Sequence, residues 1–356
     1  MARSEMIAVL MHARRPGRAQ AVASVLAVLL GTAAPALGEQ GAAPAPEARV
    51  IRDLNLKGDL GTGKEKRSLS GIACATPPGP GPRACILVGD ENDLMWSATL
   101  AGKAIRLDAR IHAAQAGAAE LDLEGATFAA APEGGAYYIT GSHGASRTEG
   151  KYEAGRFLVF RIPTDPATGA IIPSGITATR TLESVIAALP NLARLACREG
   201  MTCERLDAEG LNIEGIAARD GALYFGLRNP TTAGATILKV PAGVLFAGPA
   251  PKAEVLRVQL DAGNGVRDLA PVAGGFLILA GLGRSDDQLT TRRSVIHFWD
   301  GQSETAMPLA QITSADGKPE ALLVITDSVA GRPYEVLLLM DGAKDGAPAV
   351  YEVPAR

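Results

Sequence analysis

Short apolar runs alternate along this chain with clusters of Gly, Pro, Asp and Asn, the pattern of strands joined by tight turns. One helical period, from Leu182 to Leu195, interrupts it. Within the strand pattern one string recurs: LSGIAC at Leu69–Cys74, DLEGAT at Asp122–Thr127, NIEGIA at Asn212–Ala217, VRDLAP at Val266–Pro271 and KPEALL at Lys318–Leu323. Aligned on Ser70, Glu124, Glu214, Asp268 and Glu320, the copies are spaced by 54, 90, 54 and 52 residues. Three steps agree, and the long one carries the helical segment, so it reads as a repeat with an insertion at about 182–205.

Each repeat holds about four strand candidates; the third copy gives LNIEGIAA, ALYFGLR, ATILKV and EVLRVQL. The last copy runs out after three, and a spare strand, RVIRDLNL at Arg49–Leu56, precedes the first. Four antiparallel strands repeated every ~50 residues, with the last sheet completed from the other terminus, describe an all-β chain folded as a β-propeller. A lone four-stranded sheet cannot bury both faces, whereas radial stacking buries each against its neighbour. The count gives five blades, with six as the alternative if the region after Thr179 hides further strands. Gly71, Gly125, Gly215, Ala270 and Ala321 are expected where the inner strands crowd the axis.

Composition narrows the partners. With 35 basic and 38 acidic side chains the formal net charge is −3, and no basic stripe appears, which argues against a nucleic-acid partner. Aromatic residues are only 4%, which weakens base-stacking or aromatic-platform readings. Arg3, Arg14, Arg15 and Arg18 precede the apolar run AVASVLAVLL and the small residues GTAAPALG, the three parts of a secretory signal over 1–38. Its ten-residue apolar run falls short of the ~20 needed for a membrane span. The segment 39–48 reads as a flexible leader and 49–356 as a single propeller domain, periplasmic or secreted. Four cysteines remain, an even number suited to disulfides after export. Three connectivities are open, and the spacing favours Cys74–Cys85 and Cys197–Cys203; zinc lacks CxxC or paired-His spacing.

Inner strands of a propeller bring one residue per blade to the axis, here Ser70, Glu124, Glu214, Asp268 and Glu320. Ends of the second strands add Asp90-Glu91, Ser142-His143, Arg228-Asn229 and Asp341, while Arg267 and Lys318 lie inside the string. On one reading these charges are paired glue between blades. On the other, Asp90, Glu124, Glu214 and Glu320 hold a hard cation such as calcium. Arg228 and Arg267 then receive an anionic substrate, and His143 is the acid or base. Ser142 and His143, adjacent on a strand, are expected to face opposite ways, which makes them a poor nucleophile–base pair.

The strings LSGIAC, DLEGATF, YYITGSHG, NIEGIAA, YFGLRNP, GVRDLAPV, FLILAG, FWDG and KPEAL together resemble a bacterial domain family of unknown function, over about Leu69 to Asp341. More distantly they resemble esterase-like phytase propellers. The resemblance implies an exported propeller and hints at phosphate-ester or other ester hydrolysis, with a small anionic ligand. It transfers no residue role, and the insertion and cysteine pairs depart from it. The alternative is a non-catalytic propeller that binds a protein or cell-envelope partner.

Overall fold

The structure, a computed structural model, describes residues 44–75, 81–91, 93–112, 120–131, 134–147, 149–203, 210–248, 252–283 and 292–356. The expected signal at 1–38 lies outside them. Residues 44–356 form one compact unit.

Two short strands, β1 (Arg49–Asp53) and β2 (Asn55–Lys57), open the chain. Blade 1 follows as β3 (Leu69–Cys74), β4 (Arg83–Gly89), β5 (Met95–Ala101) and β6 (Ala104–Arg110). Blade 2 is β7 (Leu123–Ala129), β8 (Ala136–Gly141), β9 (Val159–Pro163) and β10 (Thr177–Thr179). Blade 3 is β11 (Asn212–Arg219), β12 (Ala222–Asn229), β13 (Ala235–Pro241) and β14 (Glu254–Val258). Blade 4 is β15 (Asn264–Val272), β16 (Gly275–Leu282), β17 (Arg292–Trp299) and β18 (Met307–Ser314). Blade 5 takes β19 (Lys318–Thr326), β20 (Tyr334–Asp341) and β21 (Ala349–Val353) from the end of the chain. Its fourth strand is β1, so the sheet order is β1-β21-β20-β19. The inner strands pack in sequence, and β19 against β3 closes the ring. The protein is a five-bladed β-propeller.

The spare N-terminal strand does more than the repeat arithmetic requires. Residues 49–53 pair antiparallel with β21, Arg49 opposite Glu352. At Leu54, whose N–H donates to Pro348, the chain steps across the seam, and β2 then pairs parallel with β6 of blade 1. One continuous segment thus clasps both sides of the junction between last and first blades. Buried side chains fill the spaces between blades, Phe160 and Ile139 between blades 1 and 2, Leu338 and Ile296 between blades 4 and 5. Tyr137 adds a polar tie across the first of these, donating to the Ala84 carbonyl at 2.7 Å and accepting from the Ala75 N–H at 3.1 Å.

The helical expectation over Leu182–Leu195 holds for one short helix only, α1 (Thr181–Ala187). Pro190 lacks the N–H to continue it and disfavours helical backbone at Leu189, so the rest proceeds as turns. Leu182, Val185, Ile186 and Leu192 are buried against blades 2 and 3, so the insertion is packed onto the ring. Both favoured disulfides form, Cys74–Cys85 across β3 and β4 and Cys197–Cys203 within the insertion. No helix among the described residues is long and apolar enough to cross a membrane.

The clasp yields a simple expectation. A chain beginning at Gly58 loses β1 and β2, leaves β21 and β6 as open edges, and should melt at least about 5 °C below the chain beginning at Pro44 in calorimetry. Equal melting temperatures would mean that the ring does not depend on this segment.

Candidate axial site

Each inner strand carries a bulge at the same place. In β3, β7, β11, β15 and β19 the pairing with the second strand skips one residue: Ser70, Glu124, Glu214, Arg267 and Glu320. A bulge leaves a residue out of the ladder and re-aims its side chain, which is how the five copies of the string put polar groups toward the axis. This corrects the sequence alignment in blade 4. The equivalent of the glutamates there is Arg267, and Asp268 occupies the layer below, with Gly71, Gly125, Gly215 and Ala321; Ala270, expected in that layer, lies two residues further on. That layer is tight, since a Cβ on Gly125 would come within 2.5 Å of the Glu214 carbonyl oxygen.

Asp268 is fully committed. One carboxylate oxygen accepts from the Leu269 N–H at 2.8 Å, the other from the Leu322 N–H at 2.7 Å, and the Ile216 amide adds a third bond. It joins blades 3, 4 and 5. Burial still holds its carboxyl well above the ordinary range despite these bonds.

Above it runs a chain of alternating charge through the same three blades. Arg228, at the end of β12, donates to Glu214 Oε1 at 2.8 Å, and Asn212 adds a bond at 3.1 Å. Arg267 Nη1 lies 3.2 Å from Glu214 Oε2 and 2.9 Å from Glu320 Oε1. Lys318 continues it, 3.3 Å from Glu320 and 2.9 Å from Asp341. Glu214, Arg267 and Glu320 are 4%, 2% and 6% exposed, so each charge is tolerable only because the next one faces it. Burial pushes the Glu214 carboxyl up, but the Arg228 and Arg267 guanidiniums outweigh it and leave it below the usual value. Glu320 is raised to about 7, by burial first, with Lys318 pulling down and Asp341 pushing up. Arg228 also donates to the Gly283 carbonyl, and Gly265 passes so close that a Cβ there would lie 1.9 Å from the Arg228 carbonyl oxygen.

Blades 1 and 2 differ. Ser70 is buried and its Oγ has no partner among the described residues, and Asp90 Oδ1, at the end of β4, is likewise buried and unpartnered among them. Glu124 is 7% exposed and makes no hydrogen bond or ion pair among the described residues. Its carboxyl is held well above the usual range by burial, then by the charges of Asp122, Glu214, Asp90 and Glu320. Asp90 is raised similarly, by burial and then by Asp341 and Glu320. The axis is therefore divided into a charge-paired arc on blades 3–5 and an arc on blades 1–2 whose Glu124 and Asp90 carboxyls are raised by burial and by neighbouring acids.

Behind that arc lies a cluster the sequence reading passed over. Arg156, from a turn between β8 and β9, reaches Asp122 Oδ2 at 2.6 Å, Glu120 at 2.8 Å and Glu153 at 3.1 Å. Arg156 has no periodic signal, but Asp122 does. It sits two residues before the bulge, the position filled elsewhere by Ser68, Asn212, Gly265 and Lys318.

Ser142 and His143 are not on a strand, because β8 ends at Gly141. His143 has φ of 53° and its Nδ1 lies 3.0 Å from the Gly141 carbonyl oxygen, so that nitrogen carries the hydrogen. Its ring meets Phe157 edge-on at 5.8 Å, and Nε2 is buried without a partner among the described residues. Burial pulls its pKa down to about 4. It makes no hydrogen bond or ion pair with an axial carboxylate among the described residues.

A cleft of about 580 Å³ opens over blades 5 and 1, lined by Lys64, Arg67, Asp90, Arg147, Lys318 and Asp341 among others. Arg147 is exposed and makes no ion pair among the described residues. Glu91, paired with Lys64 at 3.7 Å, also borders this cleft. No group of three or more His, Cys, Asp or Glu side chains with the makings of a metal site occurs among the described residues.

Fold and site together define a closed five-bladed propeller with a polar, acid-rich axis. No family model and no curated protein matches the chain. Solved structures similar to it include a GH43 β-1,3-galactosidase bound to galactodeoxynojirimycin, at 10% identity and a TM-score of 0.45, covering 81% of this chain and 91% of that one. An exo-β-1,3-galactanase from Phanerochaete chrysosporium gives 6% identity and a TM-score of 0.47, covering 86% and 64%. An endo-arabinanase from Bacillus licheniformis gives 8% and 0.44, covering 84% and 96%. Likenesses this remote carry no residue role, and the ring rests on the strand pairings described above.

Two outcomes follow from the pairing. Arg267→Met leaves Glu214 and Glu320 facing each other without their shared cation and should cost about 3–5 kcal/mol in denaturant unfolding at pH 7; a loss under about 1 kcal/mol would contradict the alternating chain. His143 is buried neutral, so its stabilising contribution is complete above its unfolded pKa of about 6.5 and is lost as pH falls toward about 4. The window is worth about 3 kcal/mol. His143→Asn, which suits the left-handed backbone, should flatten the acid side of the stability–pH curve between those values.

Proposed function

We propose that this propeller is a hydrolase working at the unpaired arc of its axis, with Glu124 as the proton donor. The observation that supports this most is that Glu124, alone among the three glutamates at the bulge positions, is buried without an ion pair among the described residues. A carboxylic acid that stays protonated at neutral pH can protonate a departing oxygen, and a neighbouring carboxylate held ionised, here Glu214, sharpens the contrast between the two. The attacking water forms the new bond to the electrophilic carbon as the carbon–oxygen bond breaks. Glu124 gives its proton to the leaving oxygen, and the surplus proton of the water returns to Glu124. Ser70 and Asp90 supply hydrogen-bonding groups that a substrate hydroxyl can satisfy, and the cleft beside Asp90 has the volume of a small-molecule site.

The substrate favoured is a neutral, hydroxyl-bearing ester or acetal. A phosphate ester would need Arg228 and Arg267 to receive its charge, and both guanidiniums already face carboxylates. His143, neutral and turned toward Gly141 and Phe157, has no role in this scheme. Calcium held by Asp90, Glu124, Glu214 and Glu320 would have to displace Arg267 from two of its four ligands. The fully non-catalytic reading, with a protein or cell-envelope partner, would have every axial carboxylate paired, and Glu124 departs from it.

The test is a screen of carboxylester, glycoside and phosphomonoester substrates, with and without millimolar calcium. Turnover of a neutral substrate without calcium is expected, and Glu124→Gln should lower it by about 100-fold or more. The same variant should melt higher than wild type above pH 5. A raised carboxyl contributes stability that is complete below its unfolded pKa and lost as pH rises, and glutamine escapes that loss. Turnover of phosphate esters alone, a requirement for calcium, or no turnover at all would overturn the assignment.

A further inference from the structure

The opposite end of the axis has a different character. Below Asp268 the inner strands present Ile72, Ala126, Ile216, Leu269 and Leu322 as one layer, all buried. Beyond it the channel widens into a funnel of about 510 Å³, walled by the ends of β3, β7, β15 and β19. Phe128, Val324 and Ile325 are only partly buried at its sides, and Pro271 is exposed at its rim. Asp268, fastened to Ile216, Leu269 and Leu322, lies between this apolar end and the polar arc described above.

Among the described residues one cation enters the funnel. Arg83, on β4, reaches across the end of β3 to blade 5. Its guanidinium is partly buried, and its hydrogen bonds go to the carbonyls of Ala75 at 3.3 Å and of Val324 and Cys74 at 3.4 Å, all long. It makes no ion pair among the described residues. Asp327 also lines the funnel, but its two oxygens accept from the backbone N–H groups of Ala273 and Ser328, each at 2.7 Å. A cavity with apolar sides and one guanidinium that meets carbonyls but no carboxylate among the described residues is complementary to an apolar molecule that carries its own.

We propose that this funnel is a second binding site, for an aliphatic monocarboxylic acid whose carboxylate pairs with Arg83 and whose chain fills the axial end. The volume suits a chain of medium length rather than a long one. The site is independent of the hydrolytic reading, since neither Glu124 nor the upper cleft takes part.

Titration calorimetry with decanoate, and with decanol as the uncharged probe, tests it on the full chain. Decanoate should bind one to one at or below about 1 mM, and at least about tenfold more tightly than decanol. Arg83→Gln should remove that preference and leave decanol binding unchanged. Because Arg83 also ties strand ends together, Val324→Trp provides a second variant, filling the funnel from a partly exposed position and abolishing binding of both probes. Absence of saturable decanoate binding, equal affinity for the two probes in the wild type, or undiminished binding in folded Val324→Trp would each overturn the proposal.

Discussion

The arrangement of the axis depends on one guanidinium. Arg267 stands at the bulge position of blade 4, where three other blades place glutamate, and its Nη1 contacts both Glu214 and Glu320. Bulged inner strands force these side chains into the narrowest part of the ring, where water cannot screen them. Three acidic groups and one cation per ring would leave a charge excess in low dielectric, so the remainder must be settled locally. Arg228 and Lys318 settle it for Glu214 and Glu320. No ion pair does so for Glu124 among the described residues, and its carboxyl is pushed well above the usual range, so in that sense the proposed reactive group is a product of the pairing around it.

Ring closure makes this arrangement possible. The inner strands converge only if five sheets complete the circle, and the seam between last and first blades is held by a segment that belongs to both. Ser68 and Asp90 come from blade 1 and Lys318 and Asp341 from blade 5, so the cleft lies over that same seam. The insertion, by contrast, is packed against blades 2 and 3, with its disulfide near Phe157 and Ala145. It supports the loop bearing His143 more than it shapes the cleft.

Much of this was written in the order of residues. The recurring string gave the number of blades because each copy must satisfy the same crowding at the axis, and the missing strand of the last copy implied its completion from the N-terminus, though not the pairing of β2 with β6. The charges at the axis were also visible, but their partners were not. A bulge has no signature in the alternation of apolar and polar residues, so matching acid to acid put Asp268 where Arg267 stands. That single shift separates an empty acidic ring from a paired one. Arg156 was invisible for another reason, since it lies in an irregular turn outside any repeat and is defined only by the three carboxylates around it. The end of α1 could have been read from Pro190; the apolar spacing beyond it belongs to turns that bury leucines at similar intervals.

The protonation state of Glu124 is where fold, pairing and proposed chemistry meet. Carbon-13 NMR of glutamate-labelled protein, titrated from pH 3 to 9 and assigned by comparison with Glu124→Gln, measures it directly. The account predicts that, among the carboxyl resonances that titrate above the ordinary glutamate value, which include Glu320, one vanishes in the variant and so belongs to Glu124. A Glu124 that titrates at or below that ordinary value would contradict the division of the axis and the role assigned to this residue.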